Sequence, residues 1–463
     1  MADEKVSNRW LVVLGALIIQ ISLGAVYIWS VFQTPLRGYF EGWTETQVTL
    51  PAQIVIFAFS LAVIFGGRIQ DKLGPRLVGT IGGVVLGIGL VLARFTGNFG
   101  EGAALVWLVV TYAILGGVGI GMAYVCPVAT CVKWFPDKRG LITGLAVAGF
   151  GAGAFVFAPL ARALISGGYY QPFPGISLFP LPQVGVFNTF MVLGVIFLVA
   201  VVLGSQLLKN PPAGYSPPGW TPPAAASGAA PVQEDYTPLE MLKTPVFWVL
   251  WLTYLAGSTA GLMVIMKASP VWQSFDVLAI TEFPIPGDTF ELIGVAGAVA
   301  VAILAIFNAA GRIFWGKVSD SLGRKNTLIA MFILCGVFML GLDWMRAYLL
   351  YLVGICVIAL CFGGYLALYP AVTADYYGTK NMGANYGCMF TAYGAGGLLG
   401  PFLAAWLMRT AGNVEYEVTT LAGETTVRLF EVGDYRIAFL LSGATCLVAA
   451  ALMLVVKAPA AKA

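Results

Sequence analysis

Gly67-Arg68-Ile69-Gln70-Asp71-Lys72-Leu73-Gly74-Pro75-Arg76 is matched later in the chain by Gly316-Lys317-Val318-Ser319-Asp320-Ser321-Leu322-Gly323-Arg324-Lys325. The two stretches share glycine, aspartate, leucine, glycine and flanking basic residues at an offset of 249 positions, from Asp71 to Asp320. A second set agrees: Gly121, Pro127, Gly140, Gly144 and Gly151 recur as Gly364, Pro370, Gly383, Gly387 and Gly394, each 243 positions on. Two independent offsets of nearly equal size mean that the chain is built as two similar halves.

Composition says what solvent those halves live in. Apolar residues make up 59% of the 463 residues, charged residues only 10%, and the mean hydropathy is +0.86, more apolar surface than one soluble core encloses. Spanning ~30 Å of hydrocarbon takes about 20 apolar residues at 1.5 Å each. Twelve stretches qualify: Trp10–Phe32, Gln47–Ile69, Arg76–Arg94, Ala103–Val132, Gly140–Ile165 and Gly185–Leu207, then Val246–Lys267, Glu291–Trp315, Asn326–Met345, Tyr348–Pro370, Met382–Arg409 and Arg436–Lys457. The expected fold is an all-α membrane protein with twelve transmembrane helices in two pseudo-symmetric six-helix bundles. One large repeat inside a membrane protein matches the duplicated halves of transporter folds and not the short periods of solenoids.

Residues 1–209 are assigned to the first bundle, 210–244 to a Pro/Ala-rich non-helical linker and 245–463 to the second bundle. The linker carries Pro211-Pro212, Pro217-Pro218, Pro222-Pro223 and Ala224-Ala225-Ala226. With the N-terminus inside, sixteen of the 25 Lys and Arg fall on the cytoplasmic face, so both termini and the linker are placed there. A plasma (inner) membrane location is expected, with no cleaved signal, because the polar leader Met1 to Arg9 precedes an apolar run too long for a signal core. Glu415 to Val432 alternates around Gly423 and reads as an exterior β-hairpin. Seven cysteines lie in or beside spans without metal-ligand spacing, and the chain has no histidine. Neither a metal, a cofactor nor enzymatic chemistry is expected, and no basic cluster suggests nucleic acid. The expected partners are the lipid bilayer and a small solute, with a monomer sufficient.

In the repeated loop, the aspartate can accept hydrogen bonds from N–H groups at a neighbouring helix start, and the basic residues can latch acids across the face. Gly67, Asp71, Gly74 and Arg76 with Gly316, Asp320, Gly323, Arg324 and Lys325 therefore form the candidate gating motif; the competing reading is an ordinary positive-inside loop. These paired Gly-x-x-x-Asp-x-Leu-Gly-x-basic loops, between spans 2 and 3 and spans 8 and 9, resemble those of the major facilitator superfamily. Gly24-Ala25-Val26-Tyr27-Ile28-Trp29-Ser30-Val31-Phe32, Asn308-Ala309-Ala310-Gly311-Arg312 and Thr391-Ala392-Tyr393-Gly394 are similar to the oxalate/formate antiporter family, a relative of the monocarboxylate transporters.

Arg312 stands in an apolar span, where an unpaired guanidinium costs several kcal/mol. The resemblance implies that it pairs with a substrate carboxylate, which suits its bidentate fork; the competing reading is an arginine that snorkels to the interface. Asn308 lies one turn away on the same face. Related monocarboxylate transporters have an aspartate there as proton-coupling partner, so the neutral residue argues against coupling through that site. Tyr27, Tyr124, Tyr365, Tyr369 and Tyr393 come from spans 1, 4, 10 and 11, which line the central cavity in the resembling superfamily, against the competing reading of core packing. Lys267 and Arg162 read as snorkelling cations. Oxalate transport in the family implies a second cation, a lysine in span 11, where this chain has Tyr393. The expected function is transport of a small monocarboxylate such as formate, lactate, pyruvate or acetate by alternating access, with oxalate/formate exchange as an alternative and a non-transporting membrane sensor as an alternative of another class.

Overall fold

The computed structural model describes residues 8–172, 176–212, 215–217, 235–280, 285–419 and 425–459. Pro218, Pro222, Pro223, Ala224, Ala225 and Ala226 of the linker, and Gly423 of the expected hairpin, lie outside the described residues.

Among the described residues, twelve long helices follow one another along the chain. Helix α1 is Arg9–Leu23, continued by a 3-10 turn at Gly24–Ile28 into Trp29–Tyr39. Helices α2 (Glu45–Leu73) and α3 (Pro75–Ala93) follow. Helix α4 comprises Glu101–Leu108, a π-helical stretch Val109–Leu115 and Gly116–Trp134. Helices α5 (Arg139–Ser166) and α6 (Gly185–Gln206) complete the first half. The second half comprises α7 (Pro245–Val277), α8 (Gly287–Leu322), α9 (Arg324–Gly341), α10 (Tyr348–Tyr377), α11 (Met382–Leu407) and α12 (Arg436–Val455). Among the described residues eleven helices are long and apolar enough to cross a membrane; α11, the twelfth long helix, runs 26 residues.

The packing repeats as the sequence does. In the first half α1 packs on α5, α2 on α4 and α3 on α6; in the second α7 packs on α11, α8 on α10 and α9 on α12. Across the halves α2 meets α11 and α5 meets α8. Those two contacts exchange under the same sixfold shift in helix number, so the halves face each other through equivalent surfaces.

Local chemistry sets the helix ends. Thr44 and Gln47 form a capping box at the start of α2, with Gln47 N–H donating to Thr44 Oγ1 at 3.3 Å and Thr44 N–H donating to Gln47 Oε1 at 2.9 Å. Gly74 and Gly323 adopt φ of 88° and 82°, which L side chains rarely enter, so each repeat turns sharply from one helix into the next. The linker is not wholly non-helical: Thr237 and Glu240 form a second capping box on the short helix Pro238–Leu242, the Thr-x-x-Glu pattern overriding the surrounding prolines.

Both described ends of the linker are tied down at equivalent places. Trp134, at the end of α4, donates its indole N–H to the Lys209 carbonyl at 2.5 Å and packs edge-on against Tyr215. Tyr377, 243 positions later at the end of α10, accepts the Tyr236 N–H at its carbonyl, 3.0 Å away. At the other end of the bundle, Arg409–Thr419 (β3) pairs antiparallel with Thr425–Asp434 (β4), longer than the expected hairpin and starting at Arg409, which the sequence placed at the end of a span. Ile285 bridges to β3, and Val277, Ile285, Ile293, Val414 and Val432 form a small separate core beneath it. A two-residue pairing of Gly168–Tyr169 (β1) with Pro180–Leu181 (β2) closes the α5–α6 connection.

Candidate anion site and helix-end latch

Arg312 is wholly buried on α8 and makes no reach toward an interface. Its Nε and Nη2 donate to Asn308 Oδ1 at 3.3 and 3.2 Å, and Nη1 donates to the Val147 carbonyl of α5 at 2.7 Å. Among the described residues no carboxylate pairs with it. A guanidinium carries five N–H donors; three go to the bonds above, and the Tyr27 hydroxyl accepts from the group as well. A desolvated cation held by neutral acceptors alone is energetically incomplete, and an arriving anion completes it.

Aromatic residues from both halves surround this charge. The guanidinium carbon lies 5.8 Å from the Phe150 ring centroid, and Phe150 packs edge-on against Tyr27. The Tyr27 hydroxyl lies beside Arg312 and is hydrogen-bonded to the Tyr393 hydroxyl, joining α1 to α11. Tyr124 of α4 meets Tyr386 of α11 hydroxyl to hydroxyl at 3.4 Å. Phe59 and Phe390 fill the space between them. Tyr27, Tyr124, Tyr393, Asn308 and Arg312 thus converge where the halves meet.

Tyr365 and Tyr369 do not join that group. Tyr365 stacks on Phe332 of α9, and Tyr369 stacks on Tyr254 with its hydroxyl 2.8 Å from Thr253 Oγ1, both inside the second bundle. Arg162 is exposed and Lys267 half-buried. Tyr254, Tyr386, Phe59, Phe150 and Phe390 carried no signal in the sequence beyond their apolar spans.

At the motif-bearing end, the repeated aspartates cap helices of the opposite half. Asp71 accepts the Gly383 and Ala384 N–H groups at 3.2 and 2.9 Å, at the start of α11. Asp320 accepts the Gly140 and Leu141 N–H groups, both at 2.9 Å, at the start of α5. Four negative-to-N-terminus hydrogen bonds therefore tie the halves together. A Cβ on Gly67 would fall on the Gly383 backbone and one on Gly316 on the Gly140 backbone, so those glycines permit the approach.

The two latches are chemically unequal. Asp71 has Lys133 at 3.5 Å and accepts from Gln70 Nε2 at 2.6 Å. Around Asp320, Arg324 binds both it (2.6 Å) and Asp375 (2.9 Å), while Arg139 of the first half binds Asp375 at 2.7 Å. Arg76 is exposed, and Lys325 donates to the Leu454 and Val456 carbonyls at the end of α12, so neither basic residue joins the latch.

The Major Facilitator Superfamily family model matches residues 8–304 and 280–463. The chain belongs to this superfamily. It is 29% identical over 426 residues to the Oxalate:formate antiporter of Oxalobacter formigenes, covering 89% of this chain and 88% of the relative. To the Apicoplast pyruvate carrier 1 of Toxoplasma gondii it is 26% identical over 489 aligned positions, covering 89% of this chain and 86% of the relative. Among solved structures, the proton:xylose symporter XylE bound to 6-bromo-6-deoxy-D-glucose superposes with a TM-score of 0.63 at 12% identity, covering 96% of this chain and 95% of that one, which shows the fold. The protein is an integral, multi-pass membrane transporter of this superfamily and not an enzyme.

Proposed function

We propose that this transporter carries small monocarboxylates such as formate, lactate, pyruvate or acetate by alternating access, with Arg312 holding the carboxylate. The observation that carries this reading is a fully buried guanidinium whose partners among the described residues are all neutral. Tyr27 and Tyr393 supply hydroxyls beside it, and the Asp71 and Asp320 latches hold one end shut while the other admits substrate. In this reading the latched end faces the cytoplasm, the bundles are residues 1–209 and 245–463, and a monomer in the plasma (inner) membrane suffices. Counterflow by purified protein in liposomes, with labelled mono- and dicarboxylates and with or without a pH gradient, tests substrate and coupling together. Binding without counterflow would favour a sensor.

The similarity to an oxalate:formate antiporter favours a second reading, oxalate/formate exchange. Charge separates the two, because the Arg312 region holds one cation and a tyrosine pair. Tyr393→Lys would set a second cation there, and a second carboxylate ~6 Å away gains roughly 3 kcal/mol at an effective dielectric of 20. If ~1.4 kcal/mol survives desolvation, the oxalate-to-monocarboxylate counterflow ratio rises about tenfold. A parent that already exchanges oxalate as well as lactate would overturn the one-cation argument.

Asn308 tests coupling. Asn308→Asp would place an acid 3.2–3.3 Å from Arg312, neutralising it internally. The pair would favour the ionised acid, so a proton would be needed to free the guanidinium. Counterflow by this variant is expected to fall as pH rises through the aspartate's titration, with the parent flat over that window; parallel pH profiles would refute it.

A further inference from the structure

We propose that each half carries a clip, made where the chain enters its first helix, that holds in place the helix start latched by the opposite half, so that Tyr236 and Arg9 are positioning residues for the Asp71 and Asp320 latches. This rests on the latch reading above. In the second half the clip lies just ahead of α7. Asp235 Oδ1 accepts the Lys380 N–H at 2.9 Å, and the Tyr236 carbonyl accepts the side-chain amides of Asn381 and Asn385 at 2.9 and 3.0 Å. The Tyr236 N–H donates to the Tyr377 carbonyl, and the two rings pack edge-on with centroids 5.5 Å apart. Lys380, Asn381 and Asn385 bracket Gly383 and Ala384, whose N–H groups Asp71 holds. Asn385 is wholly buried, so losing its bond to Tyr236 would strand a desolvated donor at the latch.

The first half fills the equivalent place with different chemistry. Arg9, at the start of α1, pairs with Asp137 at 3.0 Å and lies 4.4 Å from the Phe135 ring centroid, while Trp10 packs edge-on against the same ring. Asp137 and Lys380 are 243 positions apart, the offset that relates Gly140 to Gly383. Asp137 stands three residues before Gly140, whose N–H Asp320 holds. Helix ends fray when nothing fixes them, and a carboxylate can hold two neighbouring N–H groups only while the backbone presents both. Each clip ties the turn ahead of α11 or α5 to its own half, and leaves the aspartate of the other half a fixed pair of donors. That one half does this with a carboxylate and a carbonyl, and the other with a guanidinium and stacked rings, points to the place itself as what matters.

Backbone hydrogen exchange on the full-length protein reads each latch separately. Tyr236→Ala is expected to speed exchange of the peptide spanning 383–384 about three- to tenfold, the worth of one aromatic pair, and to leave the peptide spanning 140–141 at the parent rate. Arg9→Gln is expected to do the reverse. Tyr236→Ala should also move turnover in the same direction as Asp71→Asn, with apparent substrate affinity kept, and move it no further in Asp71→Asn protein, because both act through one latch. Should Tyr236→Ala insert poorly, Asp235→Ala removes an exposed acceptor at the same turn and is expected to speed the same peptide. Parent-like exchange at 383–384 in both variants, or equal acceleration of both peptides, overturns the clips alone. Asp71→Asn protein with parent-like exchange and turnover overturns the latch reading and the clips with it.

Discussion

Arg312→Gln protein is expected to insert, to melt no lower than the parent, and to lose at least a hundredfold in carboxylate counterflow. The parent residue is a buried cation without an anionic partner among the described residues, so removing its charge relieves desolvation in the empty protein. The same change removes the forked donor that a carboxylate engages with two hydrogen bonds, and hydrogen bonds to charged groups contribute roughly 1.5–3 kcal/mol each. Two such losses approach or exceed ~3 kcal/mol, beyond a hundredfold. Arg312→Lys keeps the charge but not the fork that reaches Asn308, Val147 and a carboxylate together, so partial recovery is expected. Stability that holds while transport collapses is the signature of a binding residue. Near-normal counterflow by correctly inserted Arg312→Gln would return Arg312 to a structural role.

Much of this arrangement was legible because duplication writes the same chemistry twice. The 249-residue offset paired Asp71 with Asp320, and the 243-residue offset paired Gly140 with Gly383, the very backbone segments that those aspartates cap. The sequence also singled out Arg312, since a guanidinium in an apolar helix is conspicuous. Features unique to one half were harder to see. Asp375 has Val132 as its counterpart, so no repeat marked it as the acid that binds Arg139 and Arg324. Tyr365 and Tyr369 share a helix face, but spacing fixes which residues face together and not what that face meets; it meets α7 and α9 of the same half. Tyr254 looked like one more aromatic in an apolar run. Its meeting with Tyr369 and Tyr386 exists only once α7, α10 and α11 have packed together.

Loosening the latch is expected to change the cycle in an unequal way, with Asp320→Asn the more severe variant. Each aspartate holds two backbone N–H groups at a helix start of the opposite half, where a negative charge also meets the positive end of the helix dipole. Asparagine keeps one acceptor and loses the charge. At Asp71 the change costs the caps and the Lys133 pair; at Asp320 it costs the caps and also releases Arg324 from a network that includes Asp375 and Arg139. A loss of ~1.4 kcal/mol shifts the closed-to-open ratio at this end about tenfold. Backbone hydrogen exchange reads it locally: the peptide spanning 140–141 should exchange about tenfold faster in Asp320→Asn, and that spanning 383–384 in Asp71→Asn. Turnover should change more than apparent substrate affinity, because Arg312 and its partners are untouched. The double variant should compound the two shifts, since each latch ties the same pair of bodies at a separate place. Parent-like turnover and parent-like exchange in both single variants would mean that the hydrogen bonds do not hold the two halves closed.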